Sequence, residues 1–134
     1  MTRSVPPTAF NCFICEDVRP EVGGKMTLLG FTPGTKLHVP PGSEVVQLNL
    51  SFVFIVEEVE GDLMGTFTLT GPSGVVGGPV QMNPVTVQPD HDGGLATAFQ
   101  FKPTPPITIG SYIAKFVLND RTFEKKFEIL ATPE

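Results

Sequence analysis

The sequence predicts an all-β fold, an antiparallel sandwich of two sheets with about seven to nine strands. Three observations support this prediction. Apolar and polar residues alternate with a period of two along several short stretches, as on the two faces of a strand. Fourteen glycines and fourteen prolines punctuate these stretches, which is typical of turns between strands. No window combines helical spacing of apolar residues with helix caps. We expect a single domain that spans residues 1–134.

The strands follow from this alternation. The longest is predicted over residues 46–56, and the others over 10–18, 25–32, 63–70, 85–88, 95–101, 111–118 and 122–130, with a short edge piece at 75–80. Residues 71–94 contain ten glycines or prolines, so a long Gly/Pro-rich loop region is expected there. The two ends, residues 1–8 and 131–134, are expected to be frayed.

The last two predicted strands have a defined register, because Asn119-Asp120 reads as a two-residue hairpin loop. The pairs that this loop predicts are Leu118 with Arg121, Phe116 with Phe123, Tyr112 with Phe127, and Lys115 with Glu124. Two aromatic pairs then face inward and one charge pair faces outward, as a half-buried hairpin requires.

Lys125 conflicts with this hairpin, because it falls on the inward face opposite the small Ala114. Three explanations are open. The lysine extends past the alanine to water, a bulge shifts the register, or an inward charge protects an edge strand from pairing. We favour edge protection.

Charge and composition argue against several classes of function. The net charge is −5 and the nine basic residues are scattered, so neither nucleic acid nor a membrane surface is an expected partner. Pro6 and Pro7 stand where the apolar part of a signal peptide would begin. No stretch approaches the ~20 apolar residues that cross a bilayer. We therefore expect a cytoplasmic protein.

Cys12 and Cys15 have the spacing of redox and zinc motifs. A redox pair needs a helix N-terminus to stabilise its thiolate, and the flanking residues here are strand-like. Residues three apart on a strand point to opposite faces with Cα atoms ~10 Å apart, which is beyond the reach of a disulfide. A zinc site would need a second ligand pair. We interpret both as small apolar strand residues, one on each face, and expect no cofactor.

His38 and His91 are the only histidines. His38 precedes a Pro-Pro turn, whereas the loop Asp90-His91-Asp92 combines an imidazole with two carboxylates. This loop is a weak candidate for a metal site, because an EF-hand would need a carboxylate where the chain has Phe101. A polar turn is the preferred interpretation.

The sequence offers no catalytic motif. It contains no Gly-x-Ser-x-Gly elbow, Walker loop, dinucleotide fingerprint or His-Glu-x-x-His pattern. Acidic residues gather after the longest strand, at Glu57, Glu58, Glu60 and Asp62. Such a cluster occurs in calcium-dependent membrane loops and, more commonly, in solvated turns. We expect a protein that is not an enzyme.

Four apolar residues are candidates for binding a partner. Val53 and Ile55 lie on the outward face of the strand 46–56, and Ile113 and Val117 lie on that of the strand 111–118. If the two strands share a sheet, these residues form an apolar surface patch. Cover by the N-terminal arm or by the Gly/Pro-rich segment is the alternative.

Residues 15–31 resemble the opening of a family of small uncharacterised bacterial proteins. The shared features are Cys15-Glu16-Asp17-Val18-Arg19 at a strand end, Gly24-Lys25 in a hairpin turn, and Gly30-Phe31 after an aliphatic strand. This resemblance implies a β-sandwich fold and carries no established activity or site residues. Gly110-Ser111-Tyr112 also resembles the tyrosine corner of immunoglobulin-like domains, which implies an immunoglobulin-like sandwich and a structural role for Tyr112.

Two hypotheses about function follow. The first is a non-catalytic protein-binding or interaction module, with a protein partner or a second copy of the chain as its ligand. The alternative is a small metal-dependent hydrolase or calcium-binding module that uses Asp90, His91 and Asp92.

Overall fold

The structure is a computed structural model that describes residues 10–22, 25–88 and 94–133. Every regular element in these ranges is a β-strand, so the prediction of an all-β fold is confirmed. The strands in chain order are β1 (Phe10–Cys15), β2 (Asp17–Pro20), β3 (Met26–Leu29), β4 (Lys36–Val39), β5 (Val45–Val46), β6 (Leu50–Glu57), β7 (Gly61–Leu63), β8 (Gly65–Gly71), β9 (Gly74–Gln81), β10 (Val85–Val87), β11 (Gly94–Phe101), β12 (Ile107–Thr108), β13 (Gly110–Leu118) and β14 (Arg121–Ala131).

Two sheets hold most of these strands. A three-stranded sheet has the order β1-β6-β11, and a five-stranded sheet has the order β4-β14-β13-β8-β9. The remaining strands form the pairs β2 with β3, β5 with β12, and β7 with β10. Among the described residues, every strand pair is antiparallel except β4 with β14, which run parallel.

The core is rich in phenylalanine and joins the three-stranded sheet to the five-stranded sheet. Phe52 and Phe54 of β6 are fully buried. The ring centroid of Phe54 lies 5.0 Å from that of Phe116 in β13, and that of Phe52 lies 5.3 Å from that of Phe67 in β8. Each such pair contributes about 0.5–1.5 kcal/mol beyond burial. This sandwich-like packing follows from the period-two alternation, which places the rings on one face of each strand.

The hairpin of β13 and β14 has the predicted register. The confirmed pairs are Leu118 with Arg121, Phe116 with Phe123, Tyr112 with Phe127, and Lys115 with Glu124. The rings of Tyr112 and Phe127 stack with centroids 5.5 Å apart. Asn119 has a φ of 50°, which is the left-handed conformation that a two-residue hairpin loop needs.

Lys125 faces inward opposite Ala114, and no bulge interrupts the pairing there. The explanation by a bulge is therefore wrong. In the described part of the chain, β4 pairs only with residues 128–131 of β14, so Lys125 lies where β14 has β13 as its one neighbouring strand. The lysine is half-buried and lines a small cavity with Phe10 and Cys12 of β1. An inward charge at a free edge is consistent with edge protection.

The predicted strand over 46–56 is interrupted between β5 and β6. At the break, the backbone NH of Leu48 donates to Oγ1 of Thr104 at 3.0 Å, and the NH of Thr104 donates to the Leu48 carbonyl at 2.8 Å. Thr104 is almost fully buried. The alternation of apolar and polar residues continues through the break, so the local sequence pattern does not indicate it. The break depends on Thr104, which is distant in the sequence. The strand predicted over 10–18 is likewise divided, into β1 and β2.

The prediction of a long loop over 71–94 is wrong for most of the described residues in this segment. This segment contains β9, which is the edge of the five-stranded sheet, and β10. The predicted edge piece at 75–80 is confirmed by β9. A Cβ on Gly77 would collide with the ring of Phe101, and a Cβ on Gly71 with the ring of Tyr112. Glycine here allows rings to approach the backbone of a strand.

The prediction of a frayed C-terminus is wrong for Ala131 and Thr132. Strand β14 extends to Ala131, and the NH and Oγ1 of Thr132 each donate to the Val39 carbonyl at 2.8 Å. Val39 belongs to β4, which the sequence pattern does not indicate because the strand is short and ends before Pro40. Residues 1–8 lie outside the described residues.

We expect Gly77→Ala to lower the free energy of unfolding by about 1–3 kcal/mol, because its methyl group overpacks the ring of Phe101. Urea denaturation measures this loss. The control places Gly77→Ala in a Phe101→Leu background, where the alanine should cost less. An equal cost in both backgrounds would contradict the ring contact as the cause.

Candidate functional site

Strand β1 places the two cysteines on opposite faces, as predicted. Cys12 belongs to the core cluster with Ile14, whereas Cys15 is buried outside that cluster. Both are free thiols. Burial raises the pKa of Cys12 to about 12 and also raises the pKa of Cys15. Because the thiolate is the nucleophile and the metal ligand, burial disfavours the reactive form of both cysteines at neutral pH.

A polar cavity of about 350 Å³ lies beside Cys15. Glu16, Lys36 and His38 bring titratable side chains to it, and all three are exposed to solvent. The Cys15 thiol is protonated at neutral pH, so the arrangement lacks the activated cysteine that a nucleophilic mechanism requires.

The described residues bring no metal site together. Within 10–22, 25–88 and 94–133, no three His, Cys, Asp or Glu side chains lie close enough to hold a metal ion. His38 lies in β4 and is exposed. The weak metal candidates Asp90, His91 and Asp92 lie outside the described residues, so that hypothesis stays a prediction.

The acidic residues after β6 form a turn that leads into β7. Glu58 has a φ of 56°, and the neighbouring Val59 is buried. Asp62 accepts a hydrogen bond from Oγ1 of Thr86 at 2.8 Å, across the pair of β7 and β10. These contacts are those of a structural turn with exposed carboxylates.

The predicted apolar patch is wrong as a single surface. Val53 and Ile55 belong to the three-stranded sheet, whereas Ile113 and Val117 belong to the five-stranded sheet. Val53 is fully buried, and the other three are partly exposed. The premise of a shared sheet fails because inward phenylalanines place β6 and β13 on opposite sides of the core.

The chain that follows β1 crosses the outer side of the three-stranded sheet. Nε2 of Gln100 in β11 donates to the Val18 carbonyl of β2 at 3.5 Å. Lys102 forms an ion pair with Asp17, and its ammonium group lowers the pKa of that carboxyl below its usual value. The alternative considered from the sequence was cover by the N-terminal arm or by the Gly/Pro-rich segment. The contacts at Asp17 and Val18 belong instead to the segment after β1, and residues 1–8 lie outside the described residues.

A different surface is distinguished by its lack of charge. Between Leu63 and Phe101 the only charged residues are Asp90 and Asp92. This stretch supplies β9 and β11, each at an edge of one main sheet. The two edges adjoin, because the ring of Phe101 in β11 lies against Gly77 of β9. We call the surface formed by β9 and β11 the uncharged side.

Large apolar side chains are exposed on the uncharged side. Val75 and Val80 of β9 are 65% and 41% exposed. Charged residues are depleted at the centres of protein interfaces, whereas free edges of monomers commonly carry lysine. The sequence predicted the edge piece at 75–80 and the strand at 95–101, but it did not indicate that the two adjoin. The sequence feature that could have indicated this surface is the near absence of charged residues between Leu63 and Phe101. This feature does not depend on the alternation of apolar and polar residues.

Comparison with known proteins gives no match, either to a protein family model or to a curated protein sequence. No helix in the described residues is long and apolar enough to span a membrane. The function is therefore argued from the surfaces of the molecule and from the chemistry of their residues.

We expect the free energy of unfolding to fall as the pH rises from 9 to 12. In this window the unfolded Cys12 thiol ionises near its ordinary pKa of 9.0, while the folded thiol stays protonated to about 12. The contribution of Cys12 is complete below pH 9 and is lost by about 1 kcal/mol per pH unit above it. Urea denaturation across this range measures the slope.

Cys12→Val is the matched control, because it removes the thiol and retains an apolar side chain in the core. Its stability should decline less steeply above pH 9 than that of the wild type. Cys15 is present in both proteins, so the difference in slope reports Cys12. Identical slopes would contradict the raised pKa.

Proposed function

We propose that this protein is a non-catalytic protein-interaction module whose contact surface is the uncharged side. The observation that carries the proposal is the exposure of Val75 and Val80 on a sheet edge without charged residues. Removing apolar surface from water favours association by about 25 cal/mol per Å². No ion on β9 or β11 has to lose its hydration when a partner binds there.

The chemistry of the cysteines supports a binding role. Cys12 and Cys15 are the strongest nucleophiles that the chain could offer, and burial raises the pKa of each thiol. Their free state also accords with the cytoplasmic location that we propose from the sequence, since thiols in that compartment are kept reduced.

Within the all-β class, we propose that the fold is an immunoglobulin-like sandwich of two sheets. The order of strands in the two main sheets supports it, as does the parallel pairing of β4 with β14. The hydroxyl of Tyr112, near the start of β13, donates to the Thr108 carbonyl, which is the contact of a tyrosine corner. Ala114 stands two residues later, where antibody domains have a disulfide cysteine. We also propose the resemblance to small bacterial β-sandwich proteins, which rests on residues 15–31 of the sequence.

Photo-cross-linking tests the proposed contact surface. A photoreactive amino acid is placed at Val80 in one protein and at Val22 in the control, where a valine is 96% exposed in the turn between β2 and β3. We expect protein adducts from position 80 in native lysate, including adducts to a second copy, and few from position 22. Equal yields at the two positions, or no adduct at position 80, would contradict the proposal.

A charge-insertion variant gives an independent prediction. Val75→Asp combined with Val80→Asp should weaken binding of the cross-linked partner at least about tenfold, which corresponds to about 1.4 kcal/mol. The physical reason is the cost of burying two carboxylates at a surface that holds no cation. Titration calorimetry measures the affinity, and Val22→Asp is the control that should leave it unchanged. An unaltered affinity for the double variant would exclude β9 from the interface.

A further inference from the structure

We propose that β11 is the strand through which this protein pairs with another chain, and that the other chain is a second copy of itself. The two β11 strands would lie antiparallel and form one sheet with three strands from each copy. This inference rests on the proposed function, because β11 belongs to the uncharged side.

The other edges of the two main sheets carry features that hinder pairing. Strand β4 contains Lys36 and is followed by Pro40, and β9 contains Pro79. The edge of β1 is occupied in part, since the Ile14 carbonyl accepts a hydrogen bond from the Thr32 NH at 2.8 Å. Lysine, proline and covering segments are the means by which proteins protect free edges.

Strand β11 lacks these features. It pairs with β6 over its whole length, Gly94–Phe101, without a bulge. It contains neither a charged residue nor a proline. Within the described residues, β6 is the one strand that pairs with it. Among the described residues, no strand pairs with the backbone NH and carbonyl groups along its other side. A regular strand of this kind is a template for a further strand.

The lack of charge on β11 is compatible with a second copy as the partner. Each copy has a net charge of −5, and like charges brought into contact would repel each other. Strand β11 itself contains no charged residue, so two paired β11 strands set no carboxylate of one strand against a carboxylate of the other. In a twofold dimer each copy contributes the same surface to the contact, so this surface has to be complementary to itself. A strand without charged residues meets this requirement, because it brings no like charges together.

The side chains of β11 also suit this pairing. In a register centred on Thr97, Leu95 faces Phe99 of the second copy, and Ala96 faces Ala98. Leu95 and Phe99 belong to the core, so the inward pair would extend each core toward the other. The small outward alanines add little bulk to the outer face of the joined sheet.

Analytical ultracentrifugation tests the proposal on the full chain. We expect the wild type to form a dimer as its concentration rises, and Ala96→Lys to raise the dissociation constant at least about tenfold. Ala96 is exposed on β11, and Thr122→Lys, at an exposed position of β14, is the control that should dimerise as the wild type does. A wild type that stays monomeric to about 1 mM overturns the proposal, as does equal dimerisation by both variants.

A cysteine scan tests the strand pairing itself. Ala96→Cys, Thr97→Cys and Ala98→Cys are oxidised separately, with the wild type as a control for Cys12 and Cys15. The residue on the twofold axis faces itself at a Cα distance of about 5.5 Å, within reach of a disulfide. One variant should form a disulfide dimer far faster than the other two. Equal rates in all three, or no dimer from any, overturn the pairing.

The two proposals fail in different ways. A monomeric wild type whose position 80 cross-links to a different protein overturns self-pairing and leaves the interaction module intact. A monomeric wild type without adducts at position 80 overturns both.

Discussion

Phe67 of β8 lies among the rings of Phe52, Phe54 and Phe99, with centroid distances of 5.3, 5.9 and 4.7 Å. Phe52 and Phe54 belong to β6, and Phe99 belongs to β11. This cluster therefore joins the five-stranded sheet to the three-stranded sheet. Protein interiors are packed as densely as organic crystals, and large rings at the centre therefore restrict every residue around them. Several features of this molecule follow from that restriction.

The first consequence concerns the backbone near the rings. Phe101 extends the cluster toward β9, and Gly77 leaves the space that its ring occupies. Tyr112 similarly lies against Gly71 of β8. Gly71 and Gly77 are therefore needed by the core, although they resemble the glycines of a loop in the sequence.

The second consequence concerns polar groups close to the core. Tyr112 is almost fully buried, so its hydroxyl needs a hydrogen-bond acceptor, which the Thr108 carbonyl supplies. Thr104 is buried for a related reason, because its backbone and side chain satisfy the NH and carbonyl of Leu48 where the chain leaves the sheet. Satisfying these groups fixes the segments that enter β6 and β13.

The parts of the fold that depend on local pattern could be predicted. The inward aromatic residues and the loop Asn119-Asp120 were sufficient for the register of β13 and β14. Features that depend on distant residues could not be predicted in this way. The break before β6 depends on Thr104, and the parallel pairing of β4 depends on Thr132 and the end of β14. The predicted patch at Val53 failed because alternation does not show which sheet a strand joins.

Edge strands link this packing to the proposed function. Where β14 has β13 as its one described neighbour, Lys125 points inward and opposes further pairing. A charge of this kind on β11 would enter the phenylalanine cluster, because the inward residues Leu95 and Phe99 are part of the core. Outward charges would have been compatible with the core, yet Ala96 and Ala98 occupy those positions. The core therefore explains the apolar residues on the inner face of β11. On the outer face, Ala98 lies opposite the fully buried Val53, on the side that the segment after β1 crosses. Ala96 is exposed, and the core does not require an uncharged residue there. For this reason we place the proposed interaction surface at this edge.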